Sequence, residues 1–117
     1  MNVTCSFDNH DFLQSGLSVS GEWKAPFLPR VGDKIHASLM KEMLSPKELY
    51  DALNTEEKEM WDRWVKEDLD VEMTEEEALE ENYGIWLWHV GSVVSEIIWG
   101  KNENGYHALI TLKGAGA

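Results

Sequence analysis

Asp68-Leu-Asp70-Val-Glu72-Met-Thr74 spaces its acids as metal ligands, with alternate carboxylates like those that open a calcium-binding helix–loop–helix. Two positions exclude that chemistry. Met73 stands where the sharp turn requires glycine, and Leu79 where a bidentate glutamate should close the coordination shell. The stretch reads as a polar linker between helices. The four histidines (His10, His36, His89 and His107) are not spaced as a helical metal pair, and Cys5 is the one thiol, so neither a metal nor a cofactor is expected. Each histidine reads as a strand residue.

Nucleophilic catalysis fares no better. Cys5 sits in the alternation Val3, Cys5, Phe7, which predicts a buried and inert thiol. Gly91-Ser92-Val93-Val94 lacks the second glycine of a nucleophile elbow and precedes a predicted strand rather than a helix. No glycine loop that could cradle phosphate leads into a helix. The enzymatic alternative, a small-ligand or hydrolytic site, requires His89, His107 and Glu96 to converge across neighbouring strands.

Charge is more informative than any motif. Of 22 Asp and Glu residues, 16 fall between Glu42 and Glu81 against four bases, so this block carries the whole net charge of −12. The remaining six acids and six bases cancel. Lys and Arg are dispersed, which argues against direct nucleic-acid binding. With 43% hydrophobic and 27% charged residues and six tryptophans, the 117 residues read as one globular domain. The apolar run 84–100 is too short and too interrupted to span a bilayer, and Met1–Phe12 has no secretory pattern, so a cytoplasmic location is expected.

The elements follow from periodicity. Asn2–Phe7 alternates as a half-buried strand, and Phe12–Lys24 reads as a second strand pairing back on it. Pro26 and Pro29 stop regular pairing, and Lys34–Met40 is read as a third strand. The acidic block, about 42–82, reads as three short helices. Ser45-Pro46-Lys47-Glu48 and Thr74-Glu75-Glu76-Glu77 are capping boxes, and Asn54 or Thr55 starts the helix between them. In that middle helix Met60, Trp61, Trp64, Val65 and Leu69 form an apolar stripe. Beyond Asn82 the chain is read as strand again: Ile85–Val90, a bulge at Gly91, Val93–Trp99, a hairpin loop over 100–105, and a return over 106–113 with Tyr106, Ala108, Ile110 and Leu112 on one face. The last four residues read as a frayed tail.

Pro26-Phe-Leu-Pro-Arg-Val-Gly-Asp-Lys-Ile35, with Val93-Val-Ser-Glu-Ile-Ile-Trp99 and the strand Tyr106–Leu112, resembles the strand order of small bacterial SH3-like barrels of uncharacterised function. The resemblance covers about half the chain and implies a partly closed barrel of five or six strands. Leu49-Tyr50-Asp51 echoes a stretch of peptide-binding SH3 domains, but it lies inside a capped helix, so the peptide groove does not carry over. The expected fold is α+β: a strongly bent antiparallel sheet or SH3-like barrel from about 2–40 and 84–113, with the acidic helices inserted.

The expected function is a non-enzymatic interaction or accessory role. A protein partner, basic in character, would meet Glu75, Glu76, Glu80 and Glu81 together with Trp86 and Trp88, which share one face of the predicted strand. A rival reading makes the acids a nucleic-acid mimic that occupies the site of a basic protein. Self-association is compatible with either.

Overall fold

The structure, a computed structural model, describes residues 1–9 and 11–115. His10, read above as a strand residue, and Gly116 and Ala117 of the expected frayed tail lie outside the described residues. The elements in chain order are β1 (Asn2–Phe7), β2 (Leu17–Glu22), α1 (Ala37–Met40), α2 (Pro46–Ala52), α3 (Thr55–Asp70), α4 (Glu75–Val90), β3 (Val93–Asn102) and β4 (Gly105–Lys113). The class is α+β, with a sheet and a helical layer.

The four strands form one sheet in the order β2-β1-β4-β3. Two antiparallel hairpins, β1–β2 and β3–β4, are joined through a parallel β1–β4 pair in which Val3 lies beside Ala108 and Phe7 beside Leu112. The sheet is therefore open, four-stranded and mixed, not the partly closed barrel of five or six strands that the SH3-like resemblance implied, nor an antiparallel sheet. Successive hairpins cannot produce a parallel pair; the helices between β2 and β3 supply the crossover it needs.

Alternation in the strands sets the core. Val3, Cys5 and Phe7 of β1 and Ala108, Ile110 and Leu112 of β4 are buried, clustered with Trp61, Tyr83, Trp86, Leu87 and Val90 from the helices. The opposite sheet face carries Ser6, Ser18, Ser20, Ile98 and Leu109, which stay exposed.

Two predicted strands are helical or irregular. Lys34 makes a single bridge to Val93, and the chain then enters α1, where His36 is the cap: its Nδ1 accepts from the Ser38 N–H. Ile85–Val90 is the C-terminal part of α4. Its continuous apolar run fits both periods, and Gly84 is an ordinary helical residue. Gly91 is not a bulge but the C-cap of α4; a Cβ there would meet the Phe7 ring and the Leu112 Cβ. The bulge falls at Ser95, between Val94 and Glu96, where the Ser95 hydroxyl donates to the Thr111 carbonyl at 3.1 Å. At the tail, Gly114 is buried and the Ala115 N–H donates to the Trp88 carbonyl at 3.0 Å, so this part is tied down.

The helix starts follow their signals. Ser45 and Glu48 form a reciprocal capping box on α2, with Pro46 at its first position. Thr74 accepts from the Glu77 N–H at 3.1 Å, while the Glu77 carboxylate accepts from the Thr74 hydroxyl instead of closing a box. Asn54 precedes α3 without a side-chain cap, its amide donating to the Asp11 carbonyl at 2.9 Å.

The end of α3 carries local strain. Met73 N–H donates to Asp68 O and Glu72 N–H to Leu69 O, both at 3.3 Å, the paired bonds of a helix terminus that turns through a left-handed residue. That residue is Glu72, with φ of 67°, where glycine is favoured. Replacing Glu72 by Gly removes a Cβ penalty of about 1 kcal/mol and a carboxylate at a negative helix end. We expect Glu72→Gly to raise the denaturant midpoint, with Glu72→Ala recovering only the electrostatic part; equal midpoints for Glu72→Gly and wild type would refute the strain.

Candidate functional site

The site is built on α4. Thr74 starts the helix, and Glu75, Glu76 and Glu77 face the positive end of its dipole. One stripe, Ala78, Asn82, Tyr83, Trp86, Leu87 and Val90, enters the core. The opposite face begins with Glu80 and Glu81 and then turns apolar through Gly84, Ile85 and Trp88. The second half of α4 is thus hydrophobic on two faces, and only one of them is covered.

Trp86 and Trp88, predicted to project together, are separated because neighbouring helical positions two apart point to different sides. Trp86 is 2% exposed. Its ring stacks on Trp61 at 6.4 Å with 5° between planes and on Trp64 at 5.4 Å with 26°, while Phe12 meets it edge-on at 6.2 Å. Trp86 is therefore a core residue and not a contact residue. Trp88 remains 45% exposed, with the Lys34 ammonium 5.5 Å from its ring centroid.

Trp88 lies in a groove of about 780 Å³ between α4 and the segment Lys34–Ala37. Glu80, Glu81, Ile85 and Trp88 line one wall, Lys34 and His36 the other. Gly84 opens the middle: a Cβ built there meets nothing within 4 Å. Glu80 is paired to Lys41 at the groove's end, an exposed ion pair that contributes little to stability. Three of the residues picked from sequence, Glu80, Glu81 and Trp88, are brought together here. Glu75 and Glu76 are exposed at the start of α4, outside the groove. Ile85, Gly84, Lys34 and His36 escaped sequence reasoning, which needed the helical period through residue 90 to find the first two.

The enzymatic alternative is not assembled. His89 is on α4, where its ring packs against Phe12 and Trp86. His107 and Glu96 share the exposed sheet face, but Glu96 lies beside Thr111, four residues along β4 from His107, or about 13 Å. Cys5 is buried as expected, and burial pushes its thiol from 9.0 up to about 11. The Tyr83 phenol, which donates to the Leu44 carbonyl at 2.7 Å, is also pushed up, by burial and then by the charge of Glu48. The Asp68 carboxylate accepts from the buried Asn82 amide at 3.1 Å and so links α3 to α4. Among the described residues, no three His, Cys, Asp or Glu side chains gather around a metal-sized space, and no helix is long and apolar enough to cross a membrane.

No known family, curated protein or solved structure matches the chain.

Two measurements check this placement. Trp86→Ala should cost about 3 to 5 kcal/mol and Trp88→Ala under about 1 kcal/mol in denaturant unfolding; similar losses would mean the two rings share an environment. The fold also favours the neutral Cys5 thiol, so its contribution is complete below pH 9 and lost as pH rises toward about 11. Wild type should accordingly lose more stability than Cys5→Ala between these values. A parallel decline of the two proteins would show that burial does not hold the thiol neutral.

Proposed function

We propose that this protein is a non-enzymatic interaction protein whose α4 groove receives an apolar segment of a basic protein partner. The observation that supports the reading most is the combination at Gly84, Ile85 and Trp88. A glycine inside a helix costs about 1 kcal/mol relative to alanine, yet here it faces open space between two exposed apolar side chains. Ile85 and Trp88 are 39% and 45% exposed. In an accessory protein this arrangement serves contact: an aromatic anchor beside a space that accepts a partner's side chain.

The acidic helices act at longer range. Glu81 and the neighbouring carboxylates of α3 and α4 raise the encounter rate with a positively charged partner, and their effect falls with salt. Basic residues flanking the docked segment meet Glu80 and Glu81 at the groove's edge. Glu75 and Glu76 contribute field rather than contact.

Gly84→Leu tests the groove without damaging the fold, because leucine favours the helix and its side chain occupies the open space. In affinity capture from a native lysate, a partner held by wild type should be lost with Gly84→Leu and with Trp88→Ala. It should be retained, but captured more slowly, with Glu75→Gln and Glu76→Gln. A partner that binds Gly84→Leu as well as wild type would place the contact elsewhere.

A further inference from the structure

We propose that β3 is the interface between two copies of this chain, paired antiparallel about a two-fold axis at Ile98.

The two edges of the sheet differ. β2 presents Leu17-Ser-Val-Ser-Gly-Glu22, short and rich in hydroxyls, whereas β3 runs ten residues and carries Ile97, Ile98 and Trp99 in succession. The start of β3 is covered: Gly32 N–H donates to Val94 O at 2.8 Å, and Val94 N–H to Asp33 O at 2.9 Å. Beyond the bulge at Ser95, nothing among the described residues pairs with its outer side. An uncovered apolar edge without proline or a central charge templates further strand pairing.

Charge and register favour a second copy of this chain as the occupant. A second copy is repelled by the acidic block between Glu42 and Glu81, but residues 82–115 carry Glu96 and Glu103 against Lys101 and Lys113, so this hairpin is the neutral surface on which like molecules meet. Residues opposite each other in an antiparallel pair share a sheet face. Centring on Ile98 satisfies that rule: Ile98 faces Ile98 of the second copy, Ile97 faces its Trp99, and Glu96 faces its Gly100. Ile98 and Trp99, now 53% and 51% exposed, gain apolar neighbours on opposite faces.

The Glu96–Gly100 match also satisfies a charge. The His107 ring lies over Gly100, with Cε1 and Nε2 the atoms nearest to where a Cβ would be. Glycine leaves the row between Glu96 of one copy and His107 of the other clear of any side chain, so the carboxylate meets the imidazole edge across it. The two-fold repeats this contact. The pairing about Ile98 uses Glu96–Gly100, five residues limited by the bulge at Ser95, and such a small surface makes the dimer concentration-dependent.

Sedimentation velocity from about 1 to about 200 µM should show a monomer–dimer equilibrium for wild type, shifted to monomer by Ile98→Lys, which sets two cations against each other on the axis. Circular dichroism checks that this variant is folded. Cysteine trapping tests the register without relying on a disruptive change, because native Cys5 is buried. Ile98→Cys should give a disulfide-linked dimer on mild oxidation, and Leu109→Cys, one strand inward on the same face, should not. A wild type that stays monomeric throughout, or Leu109→Cys linking as readily as Ile98→Cys, would overturn the interface. Partner capture with Gly84→Leu reads the α4 groove separately, so either proposal can fail alone.

Discussion

The stacking of Trp86 on Trp61 and Trp64 is the contact on which the arrangement of the molecule depends. It joins α3 to α4 through three large rings, and the indole N–H of Trp86 has no acceptor among the described residues, so shape and dispersion alone hold it. Fixing Trp86 inward fixes the rotation of α4. Leu87 and Val90 then meet the sheet, and Ile85 and Trp88 are directed away from it.

The same rotation gives α4 its exposed apolar face. A helix that is hydrophobic all round normally lies wholly inside a core. The second half of α4, apolar on two faces, lies instead at the surface, with β1 and β4 below and the segment Lys34–Ala37 alongside, which leaves a groove and not a closed contact. The acidic residues are largely explained by local structure: Glu48, Glu75, Glu76 and Glu77 stand in first turns, and Asp68 joins two helices. Their summed field is a separate property, because screening removes it over about 8 to 10 Å at physiological salt.

Charge and sheet topology also divide the surface. The acidic helices form the crossover between two hairpins whose inner strands run parallel, so the crossover segment holds the negative charge and the β3–β4 hairpin is balanced. The proposed contacts with a basic partner and with another copy thereby fall on different faces. The polar β2 edge and the bulge at Ser95 confine the pairable backbone to one short stretch.

Several local signals were legible in the sequence. The bounds of β1, the burial of Val3, Cys5 and Phe7, the capping box at Ser45–Glu48, the start of α3 with Trp61 buried, and the final hairpin all follow from short-range chemistry. Each of these is decided by residues a few positions apart. The helical state of Ile85–Val90, the fate of Lys34–Met40 and the parallel β1–β4 pair were decided by tertiary structure. An apolar run such as Ile85-Trp-Leu-Trp-His-Val90 satisfies strand and helix periods equally, and the choice fell to partners far away in sequence: Trp61 and Trp64 for Trp86, and β1 and β4 for the base of α4. That choice separated Trp86 from Trp88 and opened the groove, since only packing determines which side of a helical segment apolar on two faces is covered.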